Sequence, residues 1–251
     1  MKFIILLIIV VIIYFILRFI FDVNIKKLKQ IGEDKELDEI TKKYPENVEI
    51  CKYYLKKLDN ENVKIEEDKN SNATLYLVTS NKIFIANLKN SYTRIQTIAH
   101  ECLHSIQSKK MLWFNFIFSN IYLLYFFIIC ILAIFKVLPN KMIFLFILIL
   151  FGLVFYAVRT YLENDAMIKA LYLAKDYMQE IKISGQEEIE KIVKKYEQLN
   201  NIGIKYTNFK LLSNVIFKVI ILMIIFIIRY VVLQLMWNKI NKNWISDLNH
   251  I

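Results

Sequence analysis

Four stretches of this chain are apolar almost without a break, and the polar residues are confined to the segments around them. The first, residues 3–21, carries Arg18 as its only charge and is long enough, at about 1.5 Å per residue, to cross a hydrocarbon core of about 30 Å. It ends in Phe21-Asp22-Val23-Asn24, without the small residues a signal peptidase needs, so residues 1–21 are expected to stay as a transmembrane anchor. Residues 116–158 are too many for one crossing. The interruption Lys136-Val137-Leu138-Pro139-Asn140-Lys141, with its turn-forming Pro-Asn, predicts two spans, 116–135 and 142–158, joined as a helical hairpin. The last run, 215–237 within the segment 211–237, is apolar apart from Lys218, Arg229 and Gln234 and predicts a fourth span. A polar tail, 238–251, follows it and includes His250, expected to be solvated.

Two crossings separate the polar stretches 22–110 and 159–210, which places both on the same side of a bilayer. Within 46–58, Val48, Ile50, Cys51, Tyr54, Leu55 and Leu58 recur at helical spacing after Pro45, predicting an amphipathic helix. Residues 74–78 and 82–87 are rich in strand formers around Thr79-Ser80-Asn81, predicting a hairpin. Ser91 is expected to cap a helix over 92–109, with Ile95, Ile98, Ala99, Cys102, Leu103 and Ile106 forming its apolar stripe. Two more helical patterns, 163–181 and 186–199, are divided by Ser184-Gly185. The expected fold class is a mainly α membrane protein of about four transmembrane helices with a small α+β domain.

Composition narrows the reading. With 57% hydrophobic residues, 22% charged, four Gly and two Pro, the chain is neither disordered nor collagen-like, and its three cysteines (Cys51, Cys102, Cys130) imply no disulfide framework. The net charge of +10 comes without any nucleic-acid-binding signature, so the excess is assigned to anionic lipid rather than to DNA or RNA. Most Lys and Arg fall in the two polar stretches, which by the positive-inside tendency points them to the cytoplasm. Heavy use of Ile, Lys and Asn fits an AT-rich bacterial genome.

The chemistry lies in Ile98-Ala99-His100-Glu101-Cys102-Leu103-His104-Ser105-Ile106-Gln107. On a helix, residues four apart share a face, so His100 and His104 can bring two imidazole nitrogens to about 2.0–2.1 Å from one zinc ion. Glu101 then stands beside the ion without binding it. A zinc-bound water is acidified toward a pKa of about 7, and a neighbouring carboxylate can take its proton during attack on a carbonyl. A catalytic site needs a third protein ligand and one open position. No His lies between His104 and His250, and a glutamate further along is the other solution. Glu163 is the best placed, just after the third span and on the side of the histidine pair. There it begins a helix, where the macrodipole alone would also favour a carboxylate. Glu180, Glu187, Glu188 and Glu190 share that side but sit among lysines. Asp165 is a candidate to orient a ligating imidazole through its second nitrogen. Tyr161 and Tyr172 are conceivable oxyanion donors.

In these residues and their order, the chain resembles the YugP-like neutral zinc metallopeptidases of bacterial membranes, which are distantly similar to the HtpX-like membrane proteases. Ala99-His100-Glu101, His104 and Gln107 match a motif reading roughly A-H-E-x-G-H-x-x-Q, and Glu163, Asp165 and Ala166 match E-x-D-A, with spans between them. The likeness covers most of residues 1–236. It implies His100, His104 and Glu163 as zinc ligands, Glu101 as general base, a zincin-like domain over 22–110 at the membrane surface, the third ligand within 159–210, and a polypeptide substrate. Two positions depart from the pattern: Leu103 replaces its glycine, and Met167 replaces a small residue. By analogy with related zinc proteases, strand 82–87 would offer its edge to an extended substrate. A rival reading is a non-catalytic membrane protein that binds zinc structurally or scaffolds partners. A site within the bilayer is disfavoured, because Lys89, Arg94, Lys109 and Lys110 flank the motif helix.

Overall fold

The computed structural model describes residues 2–68, 71, 73–88 and 90–248. Its elements are α1 (Lys2–Ile20), α2 (Ile25–Gly32), α3 (Lys35–Lys42), α4 (Asn47–Lys57), β1 (Lys64–Asp68), β2 (Leu75–Leu77), β3 (Lys82–Ala86), α5 (Arg94–Ile106), α6 (Lys109–Ile134), α7 (Lys141–Ile181) and α8 (Gln186–Leu248). Helices α1, α6, α7 and α8 each contain a segment long and apolar enough to cross a membrane, as the hydrophobic runs predict. The chain divides into two units.

One unit takes α1, Phe118–Tyr156 and α8 from Leu211 onward. Its interior is apolar: Tyr122, Phe126 and Ile129 of α6 cluster with Leu145 and Leu148 of α7 and with Val219, Leu222 and Phe226 of α8. Outward-facing Ile8, Phe15, Phe127, Ile131 and Phe146 are exposed, the distribution expected where lipid is the solvent. Gly152 is required by packing, since a Cβ there would collide with the Val215 side chain and come within 2.9 Å of the Tyr122 hydroxyl. The cations in the last span are accommodated. Lys218 Nζ bonds to Asn214 and lies 5.1 Å from the centre of the Tyr122 ring, and Arg229 reaches the Ala133 carbonyl at 3.5 Å. The predicted turn is built as expected: α6 stops at Ile134, and Asn140 Oδ1 accepts from the amides of Met142 (3.1 Å) and Ile143 (3.3 Å) to start α7.

The other unit, Phe21–Ile117 with Ala157–Lys210, is α+β. The short helices α2 and α3 are not evident from periodicity and are set by their caps. Asn24 Oδ1 accepts from Lys27 N (2.9 Å), and Asp34 Oδ1 accepts from Leu37 N (3.3 Å). Helix α4 forms where its pattern predicts. The sheet has the order β1-β3-β2, with β1 parallel and β2 antiparallel to β3. The β2–β3 hairpin is the expected one, but β1 is not: Lys-Ile-Glu-Glu-Asp carries no alternation, because it is a mostly exposed edge strand. Its presence makes β3 the central strand. The edge expected at 82–87 is therefore covered on both sides, and the free edges of this sheet belong to β1 and β2.

The core of this unit joins Ile50, Cys51 and Tyr54 of α4, Ile83 and Ile85 of β3, Ile95, Ile98, Ala99 and Cys102 of α5, Ala166, Ala170 and Tyr177 of α7, and Ile192 and Tyr196 of α8. Helix α5 differs from the prediction at both ends. It starts at Arg94 rather than Tyr92, and it ends at Ile106 because Gln107 turns extended (φ −60°, ψ 160°). The two patterns 163–181 and 186–199 are portions of the long helices α7 and α8, divided where Ser184-Gly185 predicts. His250 lies outside the described residues.

Arg94, expected as a flanking charge, is buried to 1% exposure. Its guanidinium donates to the carbonyls of Thr41, Tyr44 and Pro45 and to Asn47 Oδ1, at 2.8, 2.8, 2.9 and 2.8 Å. One side chain thus satisfies the end of α3 and ties the α3–α4 turn to the start of the motif helix. Arg94→Met leaves three carbonyls without this donor and is expected to cost about 3–5 kcal/mol, the range for breaking a buried charged network. The measurement is the thermal unfolding midpoint of the detergent-solubilised protein; a midpoint equal to wild type would show that the turn does not depend on Arg94.

Candidate metal centre

His100 and His104 stand one turn apart on α5, with their Nε2 atoms 3.0 Å apart and their rings nearly perpendicular, at 88°. Glu163 of α7 completes the group, its Oε2 lying 3.4 Å from His100 Nε2 and 3.7 Å from His104 Nε2. Ligands about 2.0–2.1 Å from a tetrahedral zinc lie roughly 3.3 Å from one another, and a point equidistant from the three atoms here is about 2.0 Å from each. Two imidazole nitrogens and a carboxylate oxygen are a donor set for a divalent transition metal. These residues can therefore hold a metal ion, and the three residues expected to do so are the three brought together.

Glu163 does not begin a helix. It lies inside the unbroken α7, so the macrodipole explanation for its position falls away. The site itself accounts for the carboxylate. Burial alone would raise its pKa, but the adjoining imidazoles of His100 and His104 and the charge of Arg159 outweigh that and hold it well below the usual carboxylate range. Arg159 Nη2 is 2.8 Å from Glu163 Oε1, one turn back on the same helix. The guanidinium therefore holds one carboxylate oxygen while the other faces the imidazoles.

The neighbouring groups fix His104 in turn. Gln107 Nε2 donates to the Leu162 carbonyl (2.8 Å) and to Asp165 Oδ2 (3.1 Å). With both donors so placed, Gln107 Oε1 is left to accept from His104 Nδ1 at 2.8 Å. The ring is then the Nδ1–H tautomer, with the Nε2 lone pair directed at His100 and Glu163. The break of α5 at Gln107 has this purpose, since a continued helix would carry the amide elsewhere. Asp165 acts at one remove: it reaches His104 only through Gln107, and its other oxygen pairs with Lys169 at 2.6 Å. Burial lowers the pKa of His104, but Glu163, Glu101 and Gln107 together raise it above the ordinary value.

Glu101 is buried and points to the sheet, with Oε2 accepting from Tyr76 N at 2.7 Å. This amide belongs to β2, the hairpin strand with a free edge. Burial raises the Glu101 pKa against the lowering effect of the two imidazoles and the Tyr76 amide. The other acidic residues are engaged elsewhere: Glu180 with Lys57 and Tyr53, Glu188 with Lys43 and the Gly185 amide, and Glu190 with Gln186, while Glu187 is exposed. Cys102 Sγ sits in the core 3.6 Å from Cys51 Sγ, and Leu103 packs in that core. Tyr161 and Tyr172 are 59% and 62% exposed.

Arg159 and the Tyr76 amide were not foreseen. Arg159 has a legible signal, its i,i+4 spacing to Glu163. A backbone amide has none. Comparison with protein-family models, with curated proteins and with solved structures finds no match to this chain. The site is therefore read on its own geometry. Gln107→Ala frees the His104 ring and is expected to weaken binding of a divalent metal ion about 10–100-fold, the usual loss when such an outer partner is removed. Competition with a chromophoric chelator measures it, and an unchanged affinity would show that the amide does not orient the ring.

Proposed function

We propose that this chain is a membrane-bound, zinc-dependent endopeptidase that hydrolyses polypeptides, with His100, His104 and Glu163 as metal ligands and Glu101 as general base. The observation that carries the reading is the triangle of ligand atoms from two helices with a separate buried carboxylate next to it in sequence. A structural zinc site normally fills four positions with protein ligands, often thiolates, whereas three donors and an adjacent free acid suit hydrolysis. The order of the motif, the spans and the E-x-D-A segment supports the likeness to YugP-like metallopeptidases, and a sheet beside the motif helix supports a zincin-like domain. The Lys and Arg excess of the polar stretches favours the cytoplasmic side of a bacterial membrane.

When bound, the ion acidifies a water and polarises the substrate carbonyl. The protein supplies the rest. The Tyr76 amide holds Glu101 Oε2, which fixes the carboxylate and leaves its second oxygen to take the proton. Burial makes that carboxylate more basic than an exposed one and so better able to take the proton from the water; the same carboxyl group then returns the proton to the departing amine. Gln107 and Arg159 hold His104 and Glu163 in place before substrate arrives, so little reorganisation remains. An extended peptide cannot pair with β3, which is central in the sheet. Of the two edge strands, β2 adjoins Glu101 and is the one that fits this role, with its Tyr76 amide already taken up by that carboxylate.

Glu101→Gln is expected to keep zinc and to lower peptide turnover by at least about 100-fold, in the range for removing a general base. His100→Ala is expected to lose zinc. Metal analysis and a fluorogenic peptide assay on detergent-solubilised protein check both. Retained turnover in Glu101→Gln removes the base, and equal zinc in wild type and His100→Ala removes the ligand.

A further inference from the structure

A cavity of 330 Å³ opens beside the candidate centre and has His100 and Glu163 in its wall. It lies between α2, α5, α7 and α8, and its volume is at the lower end of ligand pockets, roughly 300–1,000 Å³, room for an apolar side chain together with the backbone that carries it. Leu28, Met167, Ala170 and Leu199 line it, and three threonines add to the lining. Its two amides are already engaged: Gln96 Nε2 donates to Asn200 Oδ1 at 2.8 Å, and Asn200 Nδ2 donates to the Met167 carbonyl at 2.9 Å. Among the described residues that line it, His100 and Glu163 are the only ionisable ones. A charged side chain entering the cavity would find no partner apart from the metal ligands themselves.

Gly203 explains why the space exists. It lies in the interior of α8, where glycine is less favourable than alanine because it loses more backbone freedom on folding. Its φ is not positive, so no backbone conformation demands it. A Cβ there would meet only the tip of the flexible Met167 side chain, at 3.1 Å, and otherwise nothing within 4 Å. The position is thus not a close helix contact. Its missing side chain leaves room in the cavity, and Met167 sets the opposite limit.

We propose that this cavity is the specificity subsite of the centre and takes one uncharged, medium-sized apolar side chain, of the size of Leu or Phe, from the residue next to the bond being cut. The inference rests on the peptidase reading for its substrate class, but the cavity's preference can be measured without hydrolysis.

The test uses the full chain with Glu101→Gln, zinc-loaded in detergent micelles, and titrates the peptides acetyl-Ala-Ala-X-Ala-Ala-amide by calorimetry, with X as Gly, Ala, Leu, Phe, Asp or Lys. Leu and Phe are expected to bind at least about tenfold more tightly than Gly, the low end of what one apolar pocket discriminates, with Asp and Lys no better than Gly. Adding Gly203→Leu narrows the cavity from its α8 wall and is expected to weaken that preference at least about threefold at unchanged zinc content. Met167→Ala enlarges the cavity and is expected to tighten binding of a seventh peptide, with X as Trp, relative to wild type, which covers the case in which Gly203→Leu does not fold. Equal binding of all six peptides, preference for a charged X, or an order that neither variant alters would overturn the subsite. Wild-type protein that binds in the expected order yet cleaves none of the peptides would overturn the peptidase reading and leave the subsite in place.

Discussion

Three electron-rich atoms, two imidazole nitrogens and a carboxylate oxygen, lie within 3.0–3.7 Å of one another in a mostly buried setting. Such a cluster repels itself unless protons or a cation sit among its lone pairs, so the surroundings must hold it together at a cost in folding free energy. Much of the polar unit can be understood as that support. Arg159 neutralises one face of Glu163, Gln107 fixes one imidazole, the β2 backbone holds Glu101, and buried Arg94 anchors the start of the helix that carries both histidines.

How much of this could be read from the chain depends on the kind of signal. The four spans were legible because apolar runs of such length have few alternatives. The His-Glu-x-x-His spacing was legible because helical phase is a local property. Glu163 could be chosen from several acids by counting crossings, although its setting was misjudged: the apolar-to-polar change near residue 159 looks like a helix start but is only a change of surroundings along one continuous helix. Strand β1 has too weak a pattern to be legible, because in this mostly exposed edge strand Ile65 is the one hydrophobic residue. Its omission reversed the assignment of the sheet edge, since one added neighbour turns β3 from an edge into a centre. Arg94 looked like a solvated charge because sequence does not show which carbonyls a fold leaves unpaired.

The candidate centre and the cavity beside it share parts without sharing roles. His100 and Glu163 line the cavity and are also candidate ligands, whereas Gly203 lines it without belonging to the ligand set. Met167 likewise borders the cavity and is not one of the three candidate ligands.

The neutral amide of Gln107 between His104 and Asp165 has an electronic consequence. A carboxylate placed directly against the imidazole would push negative charge into the ring and make it a stronger donor to any cation. An intervening amide transmits direction but little charge, because its dipole orients the ring while the anion stays one residue away, neutralised by Lys169. An ion held by such an insulated ring keeps more of its electron-withdrawing power for whatever occupies its remaining vertex.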